Sequence, residues 1–156
     1  MTNTYNNLPT LNFPSFSFHI KKGDDGFHIF DIVRKKYVSL TPEEWVRQHV
    51  IHYLHNIKGY PLELMQVEGS ISINGLSRRF DLVVFNKSTF TPFLLVECKQ
   101  YTVAITQKVF DQICRYNLVL DVPHLFITNG LQHYCFSIIK SEHRFEYHSD
   151  IPNFPE

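Results

Sequence analysis

The chain has 156 residues, 44% of them hydrophobic, with 15 basic and 15 acidic side chains and no formal net charge. That is enough for one domain with a real core. No apolar run is long enough for a membrane span, the opening MTNTYNNLPTLNF lacks the basic and apolar regions of a secretory leader, and the zero balance excludes a broadly basic nucleic-acid coat. Cys98, Cys114 and Cys135 are odd in number and widely spaced, as expected of reduced thiols in a cytoplasmic protein and not of a disulfide frame or zinc site.

Taken in chain order, residues 1–15 are rich in Asn and Pro and read as an extended arm. Ser15 to Ile20 and Phe27 to Val33 read as a hairpin around the turn-forming Lys21–Gly26. A helix is expected from Thr41 to about Ile57. Thr41 is the N-cap, Pro42 occupies the first helical position, and Glu44 stands where a capping box places its acid. Strands follow near Leu64–Val67 and Ser70–Ile73, then at Asp81–Phe85 and Phe93–Glu97. A second helix covers roughly Thr106 to Leu120, and the strands His124–Thr128 and His133–Ile139 join at Asn129-Gly130. One domain over 16–140 is expected, with a polar tail over 141–156.

The strands Asp81–Phe85 and Phe93–Glu97 carry the chemistry. An antiparallel hairpin centred near Thr89 sets Asp81 opposite Glu97, and Lys99 points the same way as Glu97 because residues two apart share a strand face. Two adjacent carboxylates raise each other's pKa unless a cation sits between them, and a hard divalent ion with oxygen ligands suits the place. Acidic residues are common at strand ends, which accounts for either one alone but poorly for both on one face with Lys99.

The helices add candidates. Val46, Val50, Tyr53, Leu54 and Ile57 form a stripe at helical spacing. Glu43 falls on that stripe and Glu44 a quarter turn away, so Glu44 is expected to cap and Glu43 to join the carboxylates. Arg47, four residues after Glu43, either pairs with it or supports the site. In the second helix Gln112 and Tyr116 fall on the face of Ile105, Val109, Ile113 and Leu120, as satisfied core residues or as neighbours of the carboxylates. Lys35, Lys36, Arg78 and Arg79 form a local basic patch, with Arg79 a candidate DNA contact. His49, His52 and His55 recur at every third position, but nothing completes a zinc site, and they are expected to be half-exposed.

TPEEWVRQHV (41–50), RRFDLVVF (78–85), LLVECKQ (94–100), ITQKVFDQICRYN (105–117) and ITNG (127–130) together resemble the PD-(D/E)xK nuclease superfamily. They most resemble the N-terminal nuclease domain of type I restriction enzyme R subunits, in a short stand-alone form. The resemblance covers roughly residues 27 to 140. The proline of the family motif is replaced by Phe80, and no Walker motif, helicase motor or target-recognition domain is present. The resemblance implies a restriction-endonuclease-like α/β fold, a mixed sheet flanked by helices, here with an N-terminal hairpin. It implies Mg²⁺, with Mn²⁺ as substitute, held by Asp81, Glu97 and the backbone carbonyl of Cys98, with Glu43 completing the site and Lys99 orienting water or stabilising charge on the phosphate. The activity implied is DNA endonuclease cleavage in restriction or defence, with DNA and a partner protein or second copy as partners. The alternative is a non-catalytic module on the same fold that binds nucleic acid or another protein.

Overall fold

A computed structural model describes residues 7–73 and 75–155. A three-stranded antiparallel sheet comes first: β1 (Ile20–Gly23), β2 (Gly26–Asp31) and β3 (Lys36–Ser39). Helix α1 (Pro42–Asn56) follows, then a six-stranded sheet in sequential order: β4 (Met65–Ile73), β5 (Leu76–Phe85), β6 (Pro92–Cys98), β7 (His124–Thr128), β8 (His133–Ile139) and β9 (Arg144–His148). Helix α2 (Gln107–Leu120) makes the crossover between β6 and β7, which pair in parallel; the other neighbours are antiparallel. No helix among the described residues is long and apolar enough to cross a membrane.

The two helices lie on opposite faces of the large sheet. Val46, Val50 and Leu54 of α1 pack with Leu82, Val84, Leu94, Val96, Cys98 and Phe126. Ile113 and Cys114 of α2 pack with Val83, Leu95, Leu125, Ile127 and Phe136. Successive residues of β5, β6 and β7 thus feed opposite cores, so these strands read as continuous apolar runs. This is the mixed, helix-flanked sheet the sequence implies. All three cysteines are free and buried.

Several expectations shift. The first hairpin turns at Asp24-Asp25, with Gly23 paired to Gly26, so β1 starts at Ile20 instead of Ser15. The upstream Phe16 and Phe18 pack instead on His49, His52 and Trp45 of α1. β3 was not expected. The two strands read around Val67 and Ser70 are one, β4, interrupted by Glu68 at φ 48°. The stretch read as a polar tail supplies β9 on the sheet edge and the fully buried Ile151. β9 is exposed along most of its length, which is why its sequence reads as polar.

His49 and His52 are buried, not half-exposed, because the Phe16–Phe18 segment covers the outer face of α1. Burial lowers both imidazoles, His49 to about 4. A helix covered on both sides loses the one-sided pattern on which face assignments rest. Among the described side chains of α2 the buried polar one is Asn117, not Gln112: its amide exchanges two hydrogen bonds of 2.9 Å with Val122, and Gln112 is exposed. The side chain of Tyr116 lies outside the described residues.

Candidate functional site

β5 and β6 pair with Leu82 opposite Val96 and Val84 opposite Leu94, the register centred on Thr89. One step beyond the last pair, Asp81 stands across from Glu97. There the backbone ladder ends and a side chain continues it: Asp81 Oδ2 accepts the Cys98 N–H at 2.8 Å. N–H and C=O of one residue leave an antiparallel strand on the same side, so the Cys98 carbonyl also faces β5. Lys99 Nζ donates to Glu97 Oε1 at 3.1 Å, and the Lys99 N–H is held by the Thr128 carbonyl at 2.8 Å.

The electrostatics are those of crowded carboxylates. Burial, then the adjacent Asp81 charge, pushes Glu97 up to about 7, with Lys99 opposing. Burial and Asp81 also raise Glu43, against Arg47 and Lys99. Burial pulls Lys99 down, but Glu97, Asp81 and Glu43 outweigh it and hold the ammonium above the ordinary lysine value. Asp81, Glu97, Lys99 and Glu43 therefore share one neighbourhood at the start of α1 and the end of β6. No three acidic, histidine or cysteine side chains form a ready metal cage among the described residues.

Helix α1 meets the site through Arg47, which is 2% exposed. Its Nη2 donates to Glu43 Oε1 at 2.9 Å and to Asp81 Oδ1 at 3.4 Å, and its Nη1 donates to Glu44 Oε2 at 2.5 Å. Arg47 is thus buried among the carboxylates of Glu43, Glu44 and Asp81. Arg79, two residues before Asp81 on β5, is exposed.

The two glutamates of α1 sit opposite to expectation. Thr41 Oγ1 accepts the Glu44 N–H at 3.1 Å, as expected of the cap. The Glu44 carboxylate does not close the capping box, because it is buried among Arg34, Arg47 and Gln48. The Thr41 N–H goes to the Ser39 carbonyl instead. Glu43, expected on the buried stripe, keeps 46% of its side chain exposed.

Three further residues belong to this neighbourhood. Asp31 is fully buried and accepts from Arg34 Nε at 2.7 Å and Gln48 Nε2 at 2.8 Å. Arg34 Nη2 reaches Glu44 Oε1 at 2.5 Å. Glu68, whose positive φ is a strained setting for a non-glycine residue, lies 3.3 Å from Arg34 and 3.4 Å from Arg47. Asp31 ends β2 and Arg34 lies in the turn that follows, and nothing local in the sequence links them to Glu44 or Glu68.

Residues 42–152 match the family model described as the type I restriction enzyme R protein N terminus (HSDR_N). No curated protein matches the chain. Among solved structures, a fragment assigned to an HsdR subunit of a type I restriction enzyme from Vibrio vulnificus YJ016 is similar in fold. Its TM-score is 0.50 at 19% identity, over 73% of this chain and 24% of that one. The chain therefore spans about a quarter of that fragment's length.

Proposed function

This chain belongs to the family of the type I restriction enzyme R protein N terminus, and on that premise we propose that it is a Mg²⁺-dependent nuclease domain of PD-(D/E)xK type that hydrolyses DNA phosphodiester bonds. The observation that carries the reading is the β5–β6 rung: Asp81 and Glu97 face each other, with Lys99 bonded to Glu97 at 3.1 Å.

The donor set suits the ion. Asp81, Glu97 and the Cys98 carbonyl offer only hard oxygen ligands, which favour Mg²⁺ or Mn²⁺ over softer metals. Burial and the Asp81 charge push Glu97 up to about 7, and a cation between the two carboxylates would favour its ionised form. When bound, the ion supplies an activated water and neutralises charge on the departing oxygen. The chain's own part is positioning. Asp81 is fixed from two sides by the Cys98 amide and Arg47. Lys99 keeps its ammonium among three carboxylates, where it stabilises charge developing on the phosphate. Glu43, half-exposed beside Asp81, is available to the ion's water shell.

The test is nicking of supercoiled plasmid by the wild type with Mg²⁺ or Mn²⁺, with Asp81→Ala as control. Metal-dependent nicking lost in the variant supports the reading. DNA binding without metal-dependent cleavage would replace it with a non-catalytic binding module.

A further inference from the structure

The sheet β1–β3 precedes the family-matched segment 42–152, yet Asp31 and Arg34 carry it to the site. We propose that Arg34, on the β2–β3 turn, is a positioning residue for the site: by holding Glu44 it keeps Arg47 divided between Glu44 and the carboxylates of Glu43 and Asp81. The role in catalysis rests on the nuclease reading above.

All three guanidinium nitrogens of Arg34 are engaged, each on a different element. Nε meets Asp31 Oδ2 at 2.7 Å on β2, Nη2 meets Glu44 Oε1 at 2.5 Å on α1, and Nη1 meets Glu68 Oε2 at 3.3 Å on β4. The base of this clamp is rigid. Asp31 Oδ1 also accepts the N–H groups of Val33 and Arg34, at 2.8 and 2.7 Å. Gln48 Nε2 ties Asp31 to Glu44. A planar fork suits such multidentate duty, and an ammonium does not replace it.

The consequence runs through Glu44. With Arg34 in place, one Glu44 oxygen is taken by Arg34 and Gln48 and the other by Arg47 Nη1. Arg47 Nη2 is left for Glu43 and Asp81. Without Arg34, a buried carboxylate has a single cation, and it draws the whole Arg47 guanidinium toward itself, because an uncompensated charge is costly in a dry site. Asp81 then loses one of its two supports and keeps only the Cys98 amide.

A plain staple for the N-terminal sheet would lower stability without disturbing Asp81, and two readouts separate the cases. The first is exchange of the Cys98 amide hydrogen in metal-free protein, since that amide is protected by the Asp81 side chain. The second is Mn²⁺ affinity by calorimetry. Arg34→Gln should speed Cys98 exchange and weaken Mn²⁺ binding about tenfold, in the range seen when groups that orient metal ligands are removed. Exchange of the Lys99 amide, bonded to the Thr128 carbonyl, should not change. Arg34→Lys should restore part of both effects, and it carries the test if Arg34→Gln does not fold. Ile29→Val, a core change in β2 that loosens the same sheet, should leave both readouts at wild-type values.

Unchanged Cys98 exchange and Mn²⁺ affinity in Arg34→Gln would overturn the inference, as would equal effects from Ile29→Val. Failure of the nuclease reading looks different: the wild type itself takes up no Mn²⁺, while Cys98 exchange still responds to Arg34.

Discussion

The side chain of Asp81 accepts the backbone N–H of Cys98 at 2.8 Å, at the rung where the β5–β6 ladder stops. One site carboxylate is therefore oriented by the fold itself, while its partner Glu97 is held by Lys99 at 3.1 Å. The expected consequence is that Asp81→Asn and Glu97→Gln each abolish Mn²⁺ uptake. Calorimetry on the two variants decides it, and wild-type affinity in either one means the ion is held elsewhere.

Glu97 also predicts a pH dependence. Its folded pKa of about 7 lies above the ordinary glutamate value of 4.5, so the native state holds the proton more tightly than the unfolded chain. Its stabilising contribution is complete below about 4.5 and is lost as pH rises through about 7, amounting to roughly 1–3 kcal/mol. The buried His49 and His52 act oppositely over part of that window, since their lowered values make stability rise with pH. The difference between wild type and Glu97→Gln isolates the carboxyl. In metal-free protein the variant should gain on the wild type between pH 5 and about 7.5, by thermal or urea unfolding. A constant difference would show that Glu97 ionises normally.

The two glutamates of α1 should behave unlike each other. Glu44→Ala removes a buried carboxylate from two arginines and should cost roughly 3–5 kcal/mol. Glu43 is half-exposed, so Glu43→Gln should cost less than about 1 kcal/mol while lowering cleavage strongly. Urea melts and nicking rates on both variants test this. Full activity in Glu43→Gln would remove Glu43 from the site.

Lys99 separates enzyme from binding module. Lys99→Met should lower the cleavage rate by about 10²–10³-fold, the scale for losing one group that stabilises transition-state charge, with DNA affinity little changed. A binding module would show the opposite pattern. Affinity would weaken modestly and the salt dependence would flatten by about one counterion. Titrating DNA at several salt concentrations, beside the nicking assay, distinguishes the two.

The sequence by itself determined what is local. Turn chemistry around Thr89 and two apolar runs determined the register that sets Asp81 opposite Glu97. Thr41 and Pro42 determined where α1 begins, and Thr106 where α2 begins. The runs His124–Thr128 and His133–Ile139, joined at Asn129-Gly130, also identified β7 and β8. The tertiary structure alone decided the environment of α1. Arg34, ten residues before Glu44, and the Phe16–Phe18 segment cover the side of the helix that periodicity assigns to solvent. This reverses the burial of Glu43 and Glu44 and seals His49 and His52. A helical pattern records which residues share a face, but not what is packed against that face. Glu44 therefore reads as a cap until Arg34 is seen beside it, and Arg47 reads as a surface pair until its guanidinium is seen divided between Glu44 and Asp81.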